Sequence, residues 1–219
     1  MVQSLNLAAI RTTARVVFRE PSLALPHAHV RDIRELDFAQ LRAAGCRGVV
    51  FDKDNTLTAP YANEVFPRLA GALRSCVDTF GAERVAVLSN SAGTPDDPGG
   101  AAADALEEAL GVHVLRRQHK KPRGFESVQQ HFGCDGTALL MVGDRYLTDV
   151  TFGNLHGMLT VHTEQLTTIG DNRVAQQMRR LEDWLVARHV RQGIRAPPHP
   201  LALRGLASED EREEPSSKQ

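Results

Sequence analysis

Asp52 and Asp54 stand one residue apart where the apolar run Val49-Val50-Phe51 ends. Two like charges that close raise each other's electrostatic cost. The arrangement therefore implies a cation, or an anionic reaction centre, that offsets it. Other apolar runs also end in reactive groups. "RVAVL" is followed by Ser89-Asn90-Ser91, "VHVL" by Lys120 and Lys121 just before Pro122, and "TALLMV" by Gly143-Asp144-Arg145, with Asp149 five residues beyond Asp144. Carboxylates can hold a hard cation, exchange a proton or attack an electrophile, and a hydroxyl and a lysine can hold anionic oxygens. Each cluster alone is a weak signal; four at successive run ends are a strong one.

These groups meet only if the elements between them bring the run ends to one rim. From residue 47 the pattern alternates strand and helix. "GVVFD", "RVAVLSN", "VHVL", "TALLMVGD" and "MLTVHT" read as strands. "NEVFPRLAGALRSCVDTFG", "AAADALEEALG", "PRGFESVQQHFG", "YLTDVTFGNLHG" and "GDNRVAQQMRRLEDWLVARHVRQG" read as helices, the last with a buried seam of Val174, Met178, Leu181 and Leu185. Such alternation predicts an α/β fold, a Rossmann-like parallel sheet flanked by helices. In an open parallel sheet, ligands bind beyond the carboxyl ends of the strands, where all four clusters fall. Two rival readings fail. "DKDNTL" opens like an EF-hand loop, but Leu57 and Asn63 stand where Gly and a bidentate Glu are needed. No G-x-x-x-x-G-K-[ST] phosphate loop occurs.

The set resembles the haloacid-dehalogenase-like phosphotransferase superfamily over roughly residues 47–165. Asp52, Asp54 and Thr56 fit its D-x-D-x-T motif, Ser89 its second motif, Lys121 (with Lys120 in reserve) its lysine, and Asp144 with Asp149 its acidic motif G-D-x-x-x-x-D. The resemblance implies that Asp52 attacks phosphorus to give an aspartyl phosphate, and that Asp54 protonates the leaving oxygen and then deprotonates water. It implies Mg²⁺ held by Asp52, the backbone carbonyl of Asp54, and Asp144. Lys121 and Ser89 would hold the phosphoryl oxygens, with Thr56 and Asn90 completing the substrate-binding set. Asp149 would orient the lysine or a metal-bound water. Roles for His119 and Arg145 stay open.

The superfamily often inserts a cap domain. Here 36 residues separate Asp52 from Ser89 and 31 separate Ser89 from Lys121, just what the core elements need, so no large cap is expected. An open site suits a large substrate. "DKDNTLT", "SNSAG", "KKP", "GDRYLTDV" and the preceding "PSLALPHAHVRDI" are similar to the mitochondrial and plastid phosphatidylglycerophosphate phosphatases. That similarity implies hydrolysis of phosphatidylglycerophosphate to phosphatidylglycerol on the route to cardiolipin, at an anionic membrane surface. It also implies a mitochondrial enzyme peripheral on the matrix face of the inner membrane, or alternatively a plastid one. A soluble capless phosphatase acting on a phosphoprotein, nucleotide or other phosphomonoester would use the same catalytic residues.

Composition is compatible with this. The 219 residues carry a net charge of −1, giving no global basic field for nucleic acid. Cys46, Cys76 and Cys134 are far apart and form no C-x-x-C pair, so no zinc site or disulfide framework is expected. No run approaches the ~18 apolar residues of a membrane span. Residues 1–20 are expected to form an amphipathic helix for membrane docking or targeting, Arg11, Arg15 and Arg19 edging an apolar face of Leu5, Ile10, Val16, Val17 and Phe18. Residues 21–46 read as a Pro-punctuated connector, 47–192 as the phosphatase domain, and 193–219 as a flexible acidic tail. The reading is compatible with a homo-oligomer.

Overall fold

In the computed structural model, which describes residues 19–170 and 173–202, six strands pair in parallel. They are β1 (Ala28–Val30), β2 (Gly48–Phe51), β3 (Val85–Val87), β4 (His113–Val114), β5 (Leu139–Gly143) and β6 (Leu159–Thr163). Their order is β1-β6-β5-β2-β3-β4. The chain leaves β2 toward β3 and β4 on one side and returns on the other side at β5. The order therefore reverses at β2, and ligands bind at such a switch point. Phe51 is level with Val87 on one neighbour and Val142 on the other, so Asp52 emerges beside Gly143.

β2 and β5 are buried at every position, as strands covered on both faces must be. The period-two alternation divides their side chains between two cores. Val49, Phe51, Val85, Val87, Leu140 and Val142 share one cluster. It also holds Leu41 of α1 (Phe38–Ala43), Leu73 and Cys76 of α2 (Ala70–Phe80), and Leu106 of α3 (Ala101–Leu110). Val50, Ala86, Leu139 and Met141 face the other cluster, with Val128 and Phe132 of α4 (Phe125–Phe132) and Phe152 of α5 (Thr151–Leu155). A final helix, α6 (Arg173–Arg191), packs Leu185 and Val186 on Ala24, Leu25 and Leu147. Among the described residues no helix is long and apolar enough to cross a membrane.

Three segments differ from the sequence reading. Residues 21–46 are not a mere connector. They carry α1 and also β1, which pairs with β6 at Ala28↔Val161 and Val30↔Thr163 and so extends the sheet beyond the five strands expected. Residues 193–202, read as the start of the tail, pack back: Leu201 is buried and the Pro197 carbonyl takes a hydrogen bond from the His27 ring. The buried stripe of α6 is also rotated. Glu182, Leu185, Val186 and His189 are buried, whereas Met178 and Leu181, expected in the seam, are exposed. Glu182 sets this rotation, because its carboxylate takes Arg145 and the backbone N–H of Tyr146. A smaller shift affects the helix expected from Asn63, which starts only at the turn Pro67–Leu69, since Pro67 holds Phe66 in an extended conformation (φ −57°, ψ 124°). The expected N-terminal helix, the acidic tail beyond residue 202 and the side chain of Val174 lie outside the described residues.

Candidate active site

Burial on both faces delivers the carboxylate of Asp52 to the rim of the sheet at its centre. The Asp52 backbone N–H still donates to Val142 (2.8 Å), so the residue is held as a last strand position. Lys121 reaches it from the loop after β4. Its Nζ lies 2.5 Å from Asp52 Oδ1 and 2.5 Å from Asp149 Oδ1, with the lysine side chain fully buried. Asp144 follows β5. Oxygens of Asp52, Asp144 and Asp149 all lie within 4.8 Å of one another. Five turn residues, Tyr146–Val150, wind more widely than an α-helix and return Asp149 to the strand end, where it also accepts from the Arg145 N–H (3.1 Å).

Asp54 sits apart from that cluster. Its Oδ1 accepts from Lys53 Nζ (2.7 Å) and from the Tyr61 N–H (2.9 Å), and its side chain is 37% exposed. The side chain is thus at the mouth while Asp52 is in the floor. The backbone carbonyl of Asp54, which the resemblance gives as a ligand of the same metal, is a main-chain atom and not a member of this side-chain cluster. Thr56 is buried in the tight turn after the pair, with its hydroxyl unpartnered. Ser89 is buried too, and its Oγ accepts from the Ser91 N–H (3.1 Å) and Ala92 N–H (3.3 Å). Asn90 reaches across to the lysine loop, its Oδ1 accepting from the Lys121 N–H (3.2 Å). Lys120 points away, paired with Asp96, so Lys121 is the lysine of the cluster. His119 is exposed.

Two arginines of the site were not singled out from sequence. Arg117 is buried, and its guanidinium donates to the Ser89 carbonyl (2.5 Å) and Asn90 Oδ1 (3.1 Å), tying the end of β3 to the lysine loop. Burial lowers its pKa to about 10, with Asp52 and Asp149 opposing. The basic stretch "RRQHKKP" held the only hint of it. Arg179 of α6 pairs with the Asp144 carboxylate, from a helix whose sequence carries no strand-end signal. Arg145, left open above, is committed to Glu182 (2.5 Å).

The electrostatics bear on what the cluster can hold. Burial, then the charge of Asp149, pushes Asp52 above the usual carboxylate range, and Lys121 pulls it back. Burial pushes Asp144 well above that range, opposed by Arg179. Burial opposes the charge on Lys121, but Asp149 and Asp52 outweigh it and leave its pKa raised. Three carboxylates therefore face two cationic groups in direct contact, and the buried Oδ1 of Asp144 has no partner. An all-oxygen donor set with a surplus negative charge and an orphaned oxygen fits a hard divalent cation. A cavity of about 300 Å³ opens beside Asp144, walled by His29, Tyr146, His162, Thr168 and Arg180 among others.

The comparisons agree with this geometry. The sequence pattern of the mitochondrial PGP phosphatase family matches residues 7–167. A chloroplastic phosphatidylglycerophosphate phosphatase 1 of Chlamydomonas reinhardtii is 50% identical over 202 residues, 91% of this chain and 75% of that protein. A chloroplastic/mitochondrial counterpart from Arabidopsis thaliana is 44% identical over 91% of this chain and 58% of its own length. A mitochondrial phosphatidylglycerophosphatase of Saccharomyces cerevisiae is 25% identical over 83% of this chain and 99% of its own. With its strand-end carboxylates, its buried lysine and a match across most of its length, the chain belongs to the mitochondrial PGP phosphatase family of haloacid-dehalogenase-like phosphatases.

Proposed function

We propose that the chain hydrolyses phosphatidylglycerophosphate to phosphatidylglycerol and phosphate, in an organelle of the mitochondrial or plastid kind, on the route to cardiolipin. The observation that carries this reading is the buried Asp52–Lys121–Asp149 bridge beside Asp144, at the switch point of a family-matched sheet. Asp52 is the nucleophile: its carboxylate oxygen forms the bond to phosphorus as the bond to the glycerol oxygen breaks. Asp54, half out at the mouth, gives that leaving oxygen its proton, then takes one from the water that opens the aspartyl phosphate. Lys121 meets the phosphoryl oxygens with its charge already in place, which is where pre-set electrostatics contributes most. Asn90 and Arg117 hold the lysine loop against β3. Ser89 and Thr56 would complete the phosphate-binding set with their hydroxyls.

Asp52 and Asp144 would hold Mg²⁺, with Asp149 close enough to bind it directly or through water. The cation supplies charge neutralisation for the phosphoryl group and for the carboxylates around it. A second reading keeps all this chemistry but takes a soluble phosphomonoester. What supports it is that the catalytic groups themselves demand only a phosphate.

Phosphate release should be measured on phosphatidylglycerophosphate in mixed micelles beside a panel of soluble phosphomonoesters. The lipid should be turned over at least about tenfold more efficiently, a difference of ~1.4 kcal/mol in transition-state stabilisation. Asp52→Asn should reduce every activity by roughly a thousandfold or more while leaving thermal unfolding near that of the parent. Chelation should silence the enzyme and Mg²⁺ restore it. Preference for a soluble ester would select the second reading; substantial turnover by the asparagine variant would remove Asp52 from the nucleophile role.

A further inference from the structure

We propose that the rim of the catalytic mouth is itself the membrane-docking surface, an apolar and basic ring that seats on an anionic phospholipid layer; this rests on the lipid-substrate reading. Large exposed apolar side chains among the described residues are Tyr61, Ile169, Met178, Leu181, Trp184 and Val190. Tyr61 and Ile169 stand on loops beside the site, and Met178, Leu181 and Trp184 stand on α6. The Tyr61 N–H holds the Asp54 carboxylate. Its backbone takes a positive φ of 63° while its side chain stays 74% exposed, an unfavourable conformation for a bulky residue that keeps the phenol at the mouth. Ile169, 84% exposed, adjoins Thr168, which walls the cavity beside Asp144. The same loop is fixed to the catalytic turn by the Thr167 N–H donating to Asn55 Oδ1 (3.2 Å).

Helix α6 supplies the rest. Its inner side serves the site through Arg179 on Asp144 and Glu182 on Arg145. At about 100° per residue, Gln177, Arg180, Leu181, Trp184, Arg188 and Arg191 fall within one arc of roughly 100°. All six are exposed, and the arc holds no acid; Asp183 lies outside it. The Arg188 guanidinium lies over the Trp184 ring, 5.8 Å from its centroid. Arg180 belongs both to this arc and to the wall of the catalytic cavity, so the two surfaces are continuous. An exposed tryptophan and leucine among arginines suit the headgroup level of a bilayer, where the rings and aliphatic groups leave water and the cations meet phosphate. A water-facing surface has no use for Tyr61 and Ile169 beside the mouth and Leu181 and Trp184 on the arc that continues from it. Charge selects the occupant as an anionic lipid surface.

Trp184 is the chain's single tryptophan, so its fluorescence reports on this surface alone. With full-length protein and vesicles containing phosphatidylglycerol, its emission should shift to the blue and be quenched by acyl-brominated lipid. Pure phosphatidylcholine vesicles should produce neither effect. Leu181→Ser/Trp184→Ser should lower co-sedimentation with the anionic vesicles about tenfold and leave turnover of p-nitrophenyl phosphate unchanged. Three results would overturn the proposal. One is a protein that sediments while Trp184 stays water-exposed, which places docking elsewhere. Another is a double variant with a smaller assembly than the parent, which makes the arc a contact between copies of the chain. The third is an equal loss of the soluble activity. Failure to hydrolyse phosphatidylglycerophosphate in detergent micelles would instead count against the substrate reading and leave the docking result standing on its own.

Discussion

Gly143 shows how tightly the acidic motif is packed. A Cβ there would lie 2.4 Å from Asp149 Cβ and 2.5 Å from its carboxylate, so the absent side chain is what lets Asp149 return to the strand end and meet Lys121. Gly143→Ala should push Asp149 outward. It is expected to lower kcat by about a hundredfold through misplacement of the Asp149–Lys121 pair, and to cost ~1–3 kcal/mol of stability from overpacking. Steady-state kinetics and urea unfolding of one preparation check both. At this scale the sequence was most informative where reactive residues sit at the ends of apolar runs, as Asp52 and Asp144 do. It was silent where a side chain reaches the site from elsewhere. Arg117 looks like one more basic residue in a basic stretch, and Arg179 lies 35 residues beyond its partner Asp144 on a helix whose polar pattern matches any solvated face.

At the scale of elements, alternation of strand and helix made the sheet from β2 to β6 legible, because buried parallel strands read as continuous apolar runs. β1 was hidden: three residues, "AHV", between prolines and charges carry no periodicity. Tertiary bonds hold it instead. The Thr160 N–H donates to His27 Nδ1 (3.0 Å), while His27 Nε2 donates to the Pro197 carbonyl (2.9 Å). A ring that accepts at Nδ1 and donates at Nε2 is the neutral one. Burial lowers its pKa to about 4, and burial of His162 in β6 lowers that ring to about 3. The unfolded chain, with ordinary histidines near 6.5, then binds more protons than the folded one below that pH. Stability should fall as pH drops from about 6.5 to about 4. The share from the partly exposed His27 is on the order of 1–2 kcal/mol after solvent screening. His27→Gln should flatten this part of the stability–pH curve measured by chemical unfolding; an unchanged slope would show that His27 is not a source of it. The same tertiary logic turned α6. Apolar residues lie on two of its stripes, and only the Arg145–Glu182 pair, invisible in one dimension, decides which stripe is buried.

For the whole molecule, the carboxylate cluster lies where the two halves of the sheet meet. Asp52 follows β2, Asp144 follows β5, and the strand order reverses between those neighbours. The fold therefore places a surplus negative charge at its own centre. Two basic side chains pack against that charge, Lys121 and Arg179, and its burial raises the proton affinity of Asp52 and Asp144. An arrangement of this kind disfavours the folded state until a cation arrives, and it disfavours it more as Asp144 becomes ionised. A cation bound only to the folded chain stabilises it by mass action, about 2.7 kcal/mol at a hundredfold excess over Kd. Tm should thus rise with Mg²⁺ in the absence of substrate. The rise should be larger near neutral pH than in mild acid, where protons compete for Asp52 and Asp144. Asp144→Asn should have a higher Tm than the parent in EDTA, because it removes a buried charge whose Oδ1 has no partner. It should also lose most of the Mg²⁺-dependent increase. Differential scanning calorimetry across Mg²⁺ concentration, with both proteins at two pH values, separates these effects. A parent whose Tm ignores Mg²⁺ at every pH would show that the central carboxylates do not form the metal site.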